Sequence, residues 1–228
     1  MAALAVPAAA GTARPTVYAA SSLTEVFPRI DARARYSFAG SDELALQIRQ
    51  GAPADVFASA SPKYTQDLYR RGLVERPRTF ASNRLVLIVP ASNPAHIRSV
   101  LDLERAGIHL VLGAPSVPIG KYARQVLAKL GLSAALRNVV SDERDAKGIV
   151  GKIALGEADA GFVYVTDVKP VADKVRAIAV PARGQPTVRY EIAVVKASRH
   201  RAAAQAFVAR VVGEVGRGHL RAAGFLLP

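Results

Sequence analysis

A short strand is followed directly by a helix-forming segment in the stretch Val17-Tyr18-Ala19-Ala20-Ser21-Ser22-Leu23-Thr24-Glu25-Val26-Phe27. Small residues form the junction, and Leu23, Val26 and Phe27 have the spacing of the apolar face of a helix. The first turn of a helix carries backbone N–H groups without partners inside the helix, and its dipole favours a negative charge there. Ser21 and Ser22 add hydroxyl donors without adding charge. We therefore expect this junction to form one wall of an anion site.

The alternation of short apolar strands and helical stretches continues along the chain. We expect the first helix over residues 22–33, and we interpret residues 83–90, a long run rich in Leu and β-branched residues, as a strand that leaves the first half. Beyond this strand the alternation starts again, which predicts an α/β fold with largely parallel sheets in two halves. The tail is too short for a third domain and should pack on the first half. The chain would then cross between the halves twice, near Pro90 and near residues 181–186.

The amino-acid composition limits the classes of protein to which this chain can belong. The chain has 228 residues, half of them apolar, which is enough for a globular fold with one large or two small cores. The absence of Cys excludes disulfides, thiolate metal sites, a Cys nucleophile and a lipid-anchored Cys within these residues. No apolar run approaches the roughly 18–20 residues that span a bilayer. The Ala-rich start, residues 1–13, resembles the end of a secretory signal peptide, although no basic segment precedes it.

The net charge of +13 raises the question of a nucleic-acid or membrane partner. The basic residues are scattered singly or in pairs, however, and no basic stretch is interleaved with aromatic residues. We interpret the charge as an Arg-rich solvated surface, whose field could help to attract a small anion. We expect no nucleic-acid partner.

Sequence motifs of common enzymes are absent. There is no G-x-S-x-G, H-E-x-x-H, P-loop or G-x-G-x-x-G pattern. The four His residues have no companions at ligand spacing: His96, His109, His200 and His219. A catalytic triad assembled from distant residues stays open at this point, but no spacing supports one.

Four segments place small or hydroxyl residues at a predicted strand-to-helix junction. They are Ala20-Ser21-Ser22-Leu23, Ala39-Gly40-Ser41-Asp42, Val117-Pro118-Ile119-Gly120 and Arg144-Asp145-Ala146-Lys147-Gly148. Each alone is typical of an ordinary helix start. Together, two in each half, they predict helix starts that converge on a cleft, where open α/β sheets bind ligands beyond the carboxyl ends of their strands. A tetrahedral dianion could be held there by N–H and O–H donors alone.

Five motifs, in order along the chain, resemble the periplasmic molybdate-binding proteins of ABC importers. They are Ala19-Ala20-Ser21-Ser22-Leu23, Phe38-Ala39-Gly40-Ser41, Gly51-Ala52-Pro53-Ala54-Asp55-Val56-Phe57, Val117-Pro118-Ile119-Gly120-Lys121-Tyr122-Ala123 and Gly161-Phe162-Val163-Tyr164. The resemblance covers about residues 16–228. It implies a type II periplasmic-binding-protein fold, in which two α/β lobes are joined by a two-strand hinge and close on a ligand in the cleft between them. The division that we expect is a leader at 1–13, lobe 1 at 14–88 plus 183–228, and lobe 2 at 89–182.

The resemblance also implies the ligand contacts. Ser22 and Ser41 would each donate a hydroxyl and a backbone N–H, Ile119 and Ala146 would donate backbone N–H groups, and Tyr164 would donate its hydroxyl. These contacts reach the oxygen atoms of molybdate, so they are contacts to a metal oxyanion and not direct metal ligands. The alternative for Tyr164 is an ordinary core tyrosine in an apolar strand.

Three charged residues lie near these motifs: Asp42, Lys121 and Lys147. The family often has a small neutral residue at the position of Asp42, and a carboxylate beside a dianion would repel it, so we expect Asp42 to point to solvent. Lys121 and Lys147 fall one helical turn beyond the donors and should lie outside the cleft. If either lysine entered it, the hypothesis of a charge-free site would be wrong.

The function implied is that of a high-affinity substrate-binding subunit for molybdate, and for tungstate as well. We expect an exported monomer, in the periplasm or on the outer face of the cell membrane, that delivers the oxyanion to a membrane permease. It would need no cofactor and catalyse no reaction. Three alternatives stay open: a binding protein for sulfate or phosphate, a hydrolase or transferase acting on a phosphate-like substrate through Glu25, Asp42 or Asp145, and a ligand-sensing regulatory domain, for which no DNA-reading segment is present.

Overall fold

Two five-stranded sheets, each covered by helices, form two lobes in the computed structural model, which describes residues 14–228. The strands are β1 (Thr16–Ala20), β2 (Arg35–Ala39), β3 (Val56–Ser59), β4 (Arg78–Asn83), β5 (Leu85–Pro90), β6 (Leu110–Gly113), β7 (Val139–Glu143), β8 (Ala160–Tyr164), β9 (Val175–Ala179) and β10 (Val188–Val194). The α-helices are α1 (Phe27–Ile30), α2 (Ser41–Arg49), α3 (Pro62–Arg70), α4 (Pro118–Leu130), α5 (Ala146–Ala154), α6 (Val165–Val168), α7 (Arg201–Val212) and α8 (Glu214–Ala222). The expected leader, residues 1–13, lies outside the described residues.

The sheets have the same arrangement in both lobes. The first has the strand order β2-β1-β3-β10-β4 and the second β7-β6-β8-β5-β9. In each, the second strand in this order, β1 or β6, is parallel to both neighbours, whereas the fourth, β10 or β5, is antiparallel to both. The α/β class and the two lobes are as predicted, but the sheets are mixed. The reason is that β5 and β10 enter directly from the other lobe, without the helical crossover that a parallel neighbour requires.

The first crossing between the lobes lies at Arg84, which corrects the single strand and the lobe boundary predicted there. Asn83 Oδ1 accepts the N–H of Arg84 at 2.9 Å, and this contact ends β4 at the edge of the first sheet. Residues 85–88 then pair with Tyr164–Gly161 of β8. They therefore belong to the second sheet and not to lobe 1, because their main-chain hydrogen bonds are made there.

The second crossing lies between Gln185 and Val188. The Gln185 side chain accepts the N–H of Leu85 at 3.0 Å and donates to its carbonyl at 2.8 Å, which ties the end of this segment to the start of β5. Gly184 lies against α4 so closely that a Cβ would be 2.8 Å from Leu130 Cγ. Residues 182–185 are thus held by the second lobe, and the two crossing segments lie side by side.

The first predicted helix is broken, contrary to expectation. Residues 21–23 form a single 3-10 turn, a second turn follows, and α1 contains only four residues. Pro28 explains the break, because a continuous helix would need its missing N–H and would place its ring against the carbonyl of Thr24. The donors at Ser22 are therefore those of one turn, without the dipole of a long helix behind them.

The C-terminal helices pack on the first lobe, as predicted. Phe207 of α7 meets Phe27 with 5.6 Å between ring centroids. Beyond α8, Leu226 exchanges two backbone hydrogen bonds with Ser82 of β4, at 2.7 and 3.0 Å. Among residues 14–228, no helix has both the length and the hydrophobicity needed to cross a membrane.

Candidate functional site

The carboxyl ends of the parallel strands of both sheets face one cavity between the lobes. Its lining comes from residues at the ends of β1, β2 and β8 and from the segments that follow β1, β2, β3, β6 and β7. The lining residues are Ala20, Ser21, Ser22, Ala39, Gly40, Ser41, Ala60, Val117, Pro118, Ile119, Asp145, Ala146 and Tyr164. All five residues expected to contact the ligand are in this set: Ser22, Ser41, Ile119, Ala146 and Tyr164. The cavity therefore lies beyond the carboxyl ends of the strands, where the sequence predicts a binding site.

Ser41 starts α2 and is buried at 1% exposure. Its Oγ accepts the backbone N–H of Ala60 at 3.1 Å, from the end of β3. A hydroxyl has one proton to donate, and here a neighbouring donor already occupies an acceptor position. The Ser41 proton is thus available for a ligand oxygen, as is the backbone N–H of this first helical residue.

Ser22 lies in the 3-10 turn after β1, and its Oγ is 2.9 Å from the hydroxyl of Tyr190 in β10. Both residues are buried. Tyr190 is not among the cavity-lining residues, so it contacts Ser22 from behind. The pattern of the sequence contains no signal for this contact, because the two residues are 168 positions apart.

Tyr164 is the last residue of β8, with 2% of its surface exposed. Its hydroxyl is buried and has no hydrogen-bond partner within the described part of the chain. A buried polar group without a partner costs roughly 1–3 kcal/mol, so such groups usually point to a ligand or to a water. Burial also raises the pKa of this phenol well above its usual range, which keeps the hydroxyl protonated and able to donate.

Two backbone donors come from the second lobe. Ile119 is the second residue of α4, after Val117 and Pro118, and Ala146 is the first residue of α5. Their N–H groups belong to first helical turns, which have no intrahelical acceptors. The side chain of Asp145 caps α5 by accepting the N–H of Gly148 at 3.0 Å, and so satisfies a different donor of that turn. The site can thus offer both backbone and hydroxyl donors from both sides.

Within the described residues 14–228, no Lys or Arg lines the cavity. Lys147 pairs instead with Glu25 of the first lobe, with 3.3 Å between Nζ and Oε1, and Lys121 lies in a separate groove beside Tyr122 and Lys129. Both lysines are therefore outside the cavity, as expected. An anion here would be held by dipoles and hydrogen bonds, which suits the starts of helices.

A buried carboxyl group lies behind Tyr164. Asp167 is 1% exposed, and its Oδ2 accepts the N–H of Tyr164 at 3.1 Å. Burial raises the pKa of Asp167 to about 7, against the lowering influence of Lys147. The group is thus largely protonated below this pH, which reduces the negative charge near the cavity.

Asp42 does not point to solvent, which corrects the expectation from sequence. Its Oδ2 accepts a hydrogen bond from Ser116 Oγ of the second lobe at 2.7 Å, and its Oδ1 is buried without a partner in the described residues. The carboxylate is drawn across the mouth of the cleft because the loop before α4 offers a hydroxyl there. Tyr64 of the first lobe also donates to the Ser116 carbonyl.

The lobes approach each other closely at Gly40. A Cβ at this position would lie 2.5 Å from the carbonyl oxygen of Arg144 in the second lobe. Glycine is thus required by contact across the cleft and not by its backbone angles, since its φ is −60°. The cavity that remains is small: about 10 Å³ is open to the centre of a water molecule, room for about one water. A four-oxygen anion therefore needs the cleft to open for entry.

The carboxylates considered for a hydrolase or transferase are all engaged. Glu25 pairs with Lys147, Asp42 with Ser116, and Asp145 with the N–H of Gly148. Among residues 14–228, no three His, Asp or Glu side chains are grouped in a way that could hold a metal ion. Each of the three carboxylates thus has a partner that stabilises the protein or its closed form.

Sequence reasoning missed Ala60 and Tyr190. Ala60 could have been found, because it follows β3 at the same sheet edge as Ser22 and Ser41. Tyr190 lies within a buried strand and has no such signal.

Comparison with known proteins gives consistent matches. A family model described as bacterial extracellular solute-binding protein matches residues 8–226. The molybdate-binding protein ModA of Mycobacterium tuberculosis is 39% identical over 222 residues, 93% of this chain and 84% of that protein. ModA of Haemophilus influenzae is 33% identical over 204 residues, 82% of this chain and 80% of that protein.

Solved structures show the same fold. The periplasmic molybdate-binding protein of Azotobacter vinelandii has a TM-score of 0.83 at 25% identity, covering 94% of this chain and 100% of that chain. The sulfate-binding protein SubI of M. tuberculosis has a TM-score of 0.78 at 19% identity, covering 93% and 86%, a likeness of fold alone.

Proposed function

The chain belongs to the family of bacterial extracellular solute-binding proteins, and from this premise we propose that it is the molybdate-binding subunit of an ABC importer. Its relatives named as molybdate-binding proteins match most of the chain, and the match extends through both lobes. The proposal includes tungstate as a second ligand, because it is a tetrahedral dianion of nearly the same size.

The observation that carries the proposal is the unpartnered hydroxyl of Tyr164 in a cavity without Lys or Arg. An anion oxygen would accept its proton and remove the cost of the buried polar group. Ser22 and Ser41 would each donate a hydroxyl and a backbone N–H, and Ile119 and Ala146 would donate backbone N–H groups. These donors would contact the oxyanion and would not be direct metal ligands.

Binding would couple to closure of the lobes. Ser22 and Ser41 follow strands of the first sheet, whereas Ile119, Ala146 and Tyr164 belong to the second. Only a closed form brings both sets to one ligand, so an anion that binds both favours closure. The closed, loaded protein would then deliver the anion to a membrane permease.

We further propose that the protein works outside the cytoplasm as a monomer. It would bind the transported anion without a resident cofactor and would catalyse no reaction. The engaged states of Glu25, Asp42 and Asp145 support binding over hydrolysis.

Sulfate or phosphate is the nearest alternative ligand, since a sulfate-binding protein shares the fold. Isothermal titration calorimetry of the purified protein with molybdate, tungstate, sulfate and phosphate separates these cases. We expect binding of molybdate and tungstate and little heat with sulfate or phosphate. Tight sulfate binding without molybdate heat would refute the assignment.

A Ser22→Ala/Ser41→Ala double variant provides the matched test of the location. It should lose most of the molybdate affinity, while Ser133→Ala, at an exposed position of the second lobe, should bind as the wild type does. Equal affinity in all three proteins would place the ligand elsewhere.

A further inference from the structure

We propose that Tyr190 is a positioning residue of the oxyanion site, whose hydroxyl orients the Ser22 hydroxyl toward the ligand. The inference rests on the proposed function, because it concerns the same cavity. Tyr190 itself is not a cavity-lining residue, so its effect would pass through Ser22.

The contacts of Tyr190 fix it in place. The side chain is fully buried, at 0% exposure, and its ring meets Phe80 at 6.0 Å and Phe225 at 5.3 Å between centroids. Its hydroxyl lies 2.9 Å from Ser22 Oγ. A ring held on two sides by aromatic residues has little freedom, so the phenol oxygen is presented at a defined point behind Ser22.

The direction of the hydrogen bond between Tyr190 and Ser22 decides whether Ser22 can donate its hydroxyl proton to the ligand. Ser22 has a single hydroxyl proton. If it donated this proton to Tyr190, only lone pairs would face the anion, and they would repel it. If Tyr190 donates, Ser22 Oγ is satisfied as an acceptor and its own proton is free for the ligand. Ser41 has the same arrangement, with the N–H of Ala60 in the place of the phenol.

The Tyr190 hydroxyl has a proton to donate to Ser22. Burial raises the pKa of this phenol far above its usual range, so the hydroxyl keeps its proton at every physiological pH. Hydrogen bonds in a chain also polarise one another, which strengthens the contact from Ser22 to a charged ligand.

Tyr190 also contacts Tyr164 of the second lobe, whose hydroxyl would bind the anion. Its ring meets the edge of Tyr164, with 5.9 Å between centroids and 64° between planes. One buried side chain thus touches Ser22 of the first lobe and Tyr164 of the second. A Tyr190→Phe substitution keeps the ring and these packing contacts, and removes only the hydroxyl.

The test is a double-mutant cycle on molybdate affinity, measured by calorimetry with wild type, Tyr190→Phe, Ser22→Ala and the double variant. We expect Tyr190→Phe to weaken binding by roughly 3- to 10-fold when Ser22 is present, the range of one neutral hydrogen bond. In the Ser22→Ala background the same change should have less than about a twofold effect, because the group it orients is gone.

Tyr36→Phe is the matched control. It removes a hydroxyl of the first lobe that donates to the carbonyls of Phe27 and Asp31, away from the cavity. It should lower the thermal stability and leave molybdate affinity unchanged. Wild-type affinity in Tyr190→Phe, or an equal loss with and without Ser22, would overturn the positioning role.

The same four proteins, unfolded thermally without ligand, separate this inference from the proposed function. Coupled stability changes at Tyr190 and Ser22 are expected, whereas additive changes would refute the hydrogen bond and with it the inference. Absence of molybdate binding in the wild type would instead refute the proposed function, and the ligand-free cycle would still decide the Tyr190–Ser22 contact.

Discussion

Asp42 of the first lobe accepts a hydrogen bond from Ser116 of the second, with 2.7 Å between Oδ2 and Oγ. This contact crosses the mouth of the cleft, so it exists only when the lobes are closed. The contact thus gives Asp42, an acidic residue beside the anion site, a role in closure, and it directs the Asp42 carboxylate toward the Ser116 hydroxyl.

Ser116→Ala should therefore weaken molybdate binding by roughly 2- to 10-fold, mainly through faster release, since one hydrogen bond of the closed form is lost. Stopped-flow displacement would measure the release rate. Ser133→Ala, an exposed serine of the same lobe, is the control and should release molybdate at the wild-type rate. A release rate unchanged in Ser116→Ala would show that this contact does not stabilise the closed form.

Ser41→Ala should lower molybdate affinity by about 10- to 150-fold, because a hydrogen bond to a charged group contributes roughly 1.5–3 kcal/mol. The substitution also leaves the N–H of Ala60 without its acceptor, so thermal stability should fall as well. Calorimetry and thermal unfolding together measure the two effects. Ser22→Ala should lose affinity in the same range, and unchanged affinity in both variants would remove these serines from the site.

Tyr164→Phe should change molybdate affinity and stability in opposite directions. Its hydroxyl has no hydrogen-bond partner among residues 14–228, so removing it should raise the free energy of unfolding by about 1 kcal/mol. Molybdate affinity should fall in the same variant, by at least about tenfold. Reduced stability with wild-type affinity would identify Tyr164 as an ordinary core tyrosine.

A double variant, Lys147→Met/Glu25→Gln, tests whether the site works without charged side chains. The two residues form a pair with 3.3 Å between Nζ and Oε1, and removing both leaves the net charge unchanged. We expect molybdate affinity within about threefold of the wild type, since exposed pairs contribute little. A loss of 100-fold would mean that Lys147 reaches the anion.

Asp55 should contribute to stability in a pH-dependent way. Burial alone raises the pKa of this carboxyl, but hydrogen bonds from Ser198, from the N–H of Thr16 and from His200 outweigh it and hold the pKa below 3.8. A lowered folded-state pKa stabilises the fold fully above the unfolded value and loses this effect as pH falls through the folded value.

Asp55→Asn should consequently flatten the acid side of the stability profile below about pH 4 and lower stability at pH 7. Thermal unfolding between pH 2 and pH 7 measures this. Asp142→Asn, an exposed carboxylate of the second lobe, should change the profile little. An Asp55→Asn profile parallel to that of the wild type would contradict the assigned pKa direction.

Local patterns predicted the elements whose ends carry strong chemical signals. The Ala39-Gly40-Ser41-Asp42 junction is an example: β2 ends at Ala39, and α2 begins at Ser41. The two α/β lobes followed from the order of strands and helices. The break before Pro28 was missed, although proline removes a helical donor, because the apolar spacing around it suggested a continuous helix.

The lobe boundary at Arg84 could not be predicted from the strand pattern. From sequence, residues 83–90 are interpreted as one strand, because the polar pair Asn83-Arg84 does not by itself show to which sheet the flanking residues belong. Pairing partners more than 70 residues away, in β8 and β9, decide to which sheet each part belongs.

By itself the sequence determined the donor-rich junctions at Ser22, Ser41, Ile119 and Ala146, because small residues and helix starts are encoded over a few consecutive positions. Only the tertiary structure decided which groups those donors would meet. Tyr190 stands behind Ser22, Ala60 supports Ser41, and Asp42 reaches Ser116 across the cleft. Such contacts depend on how two sheets pack against each other, and the orientation of a hydroxyl proton is settled by these distant neighbours and not by the residues beside it.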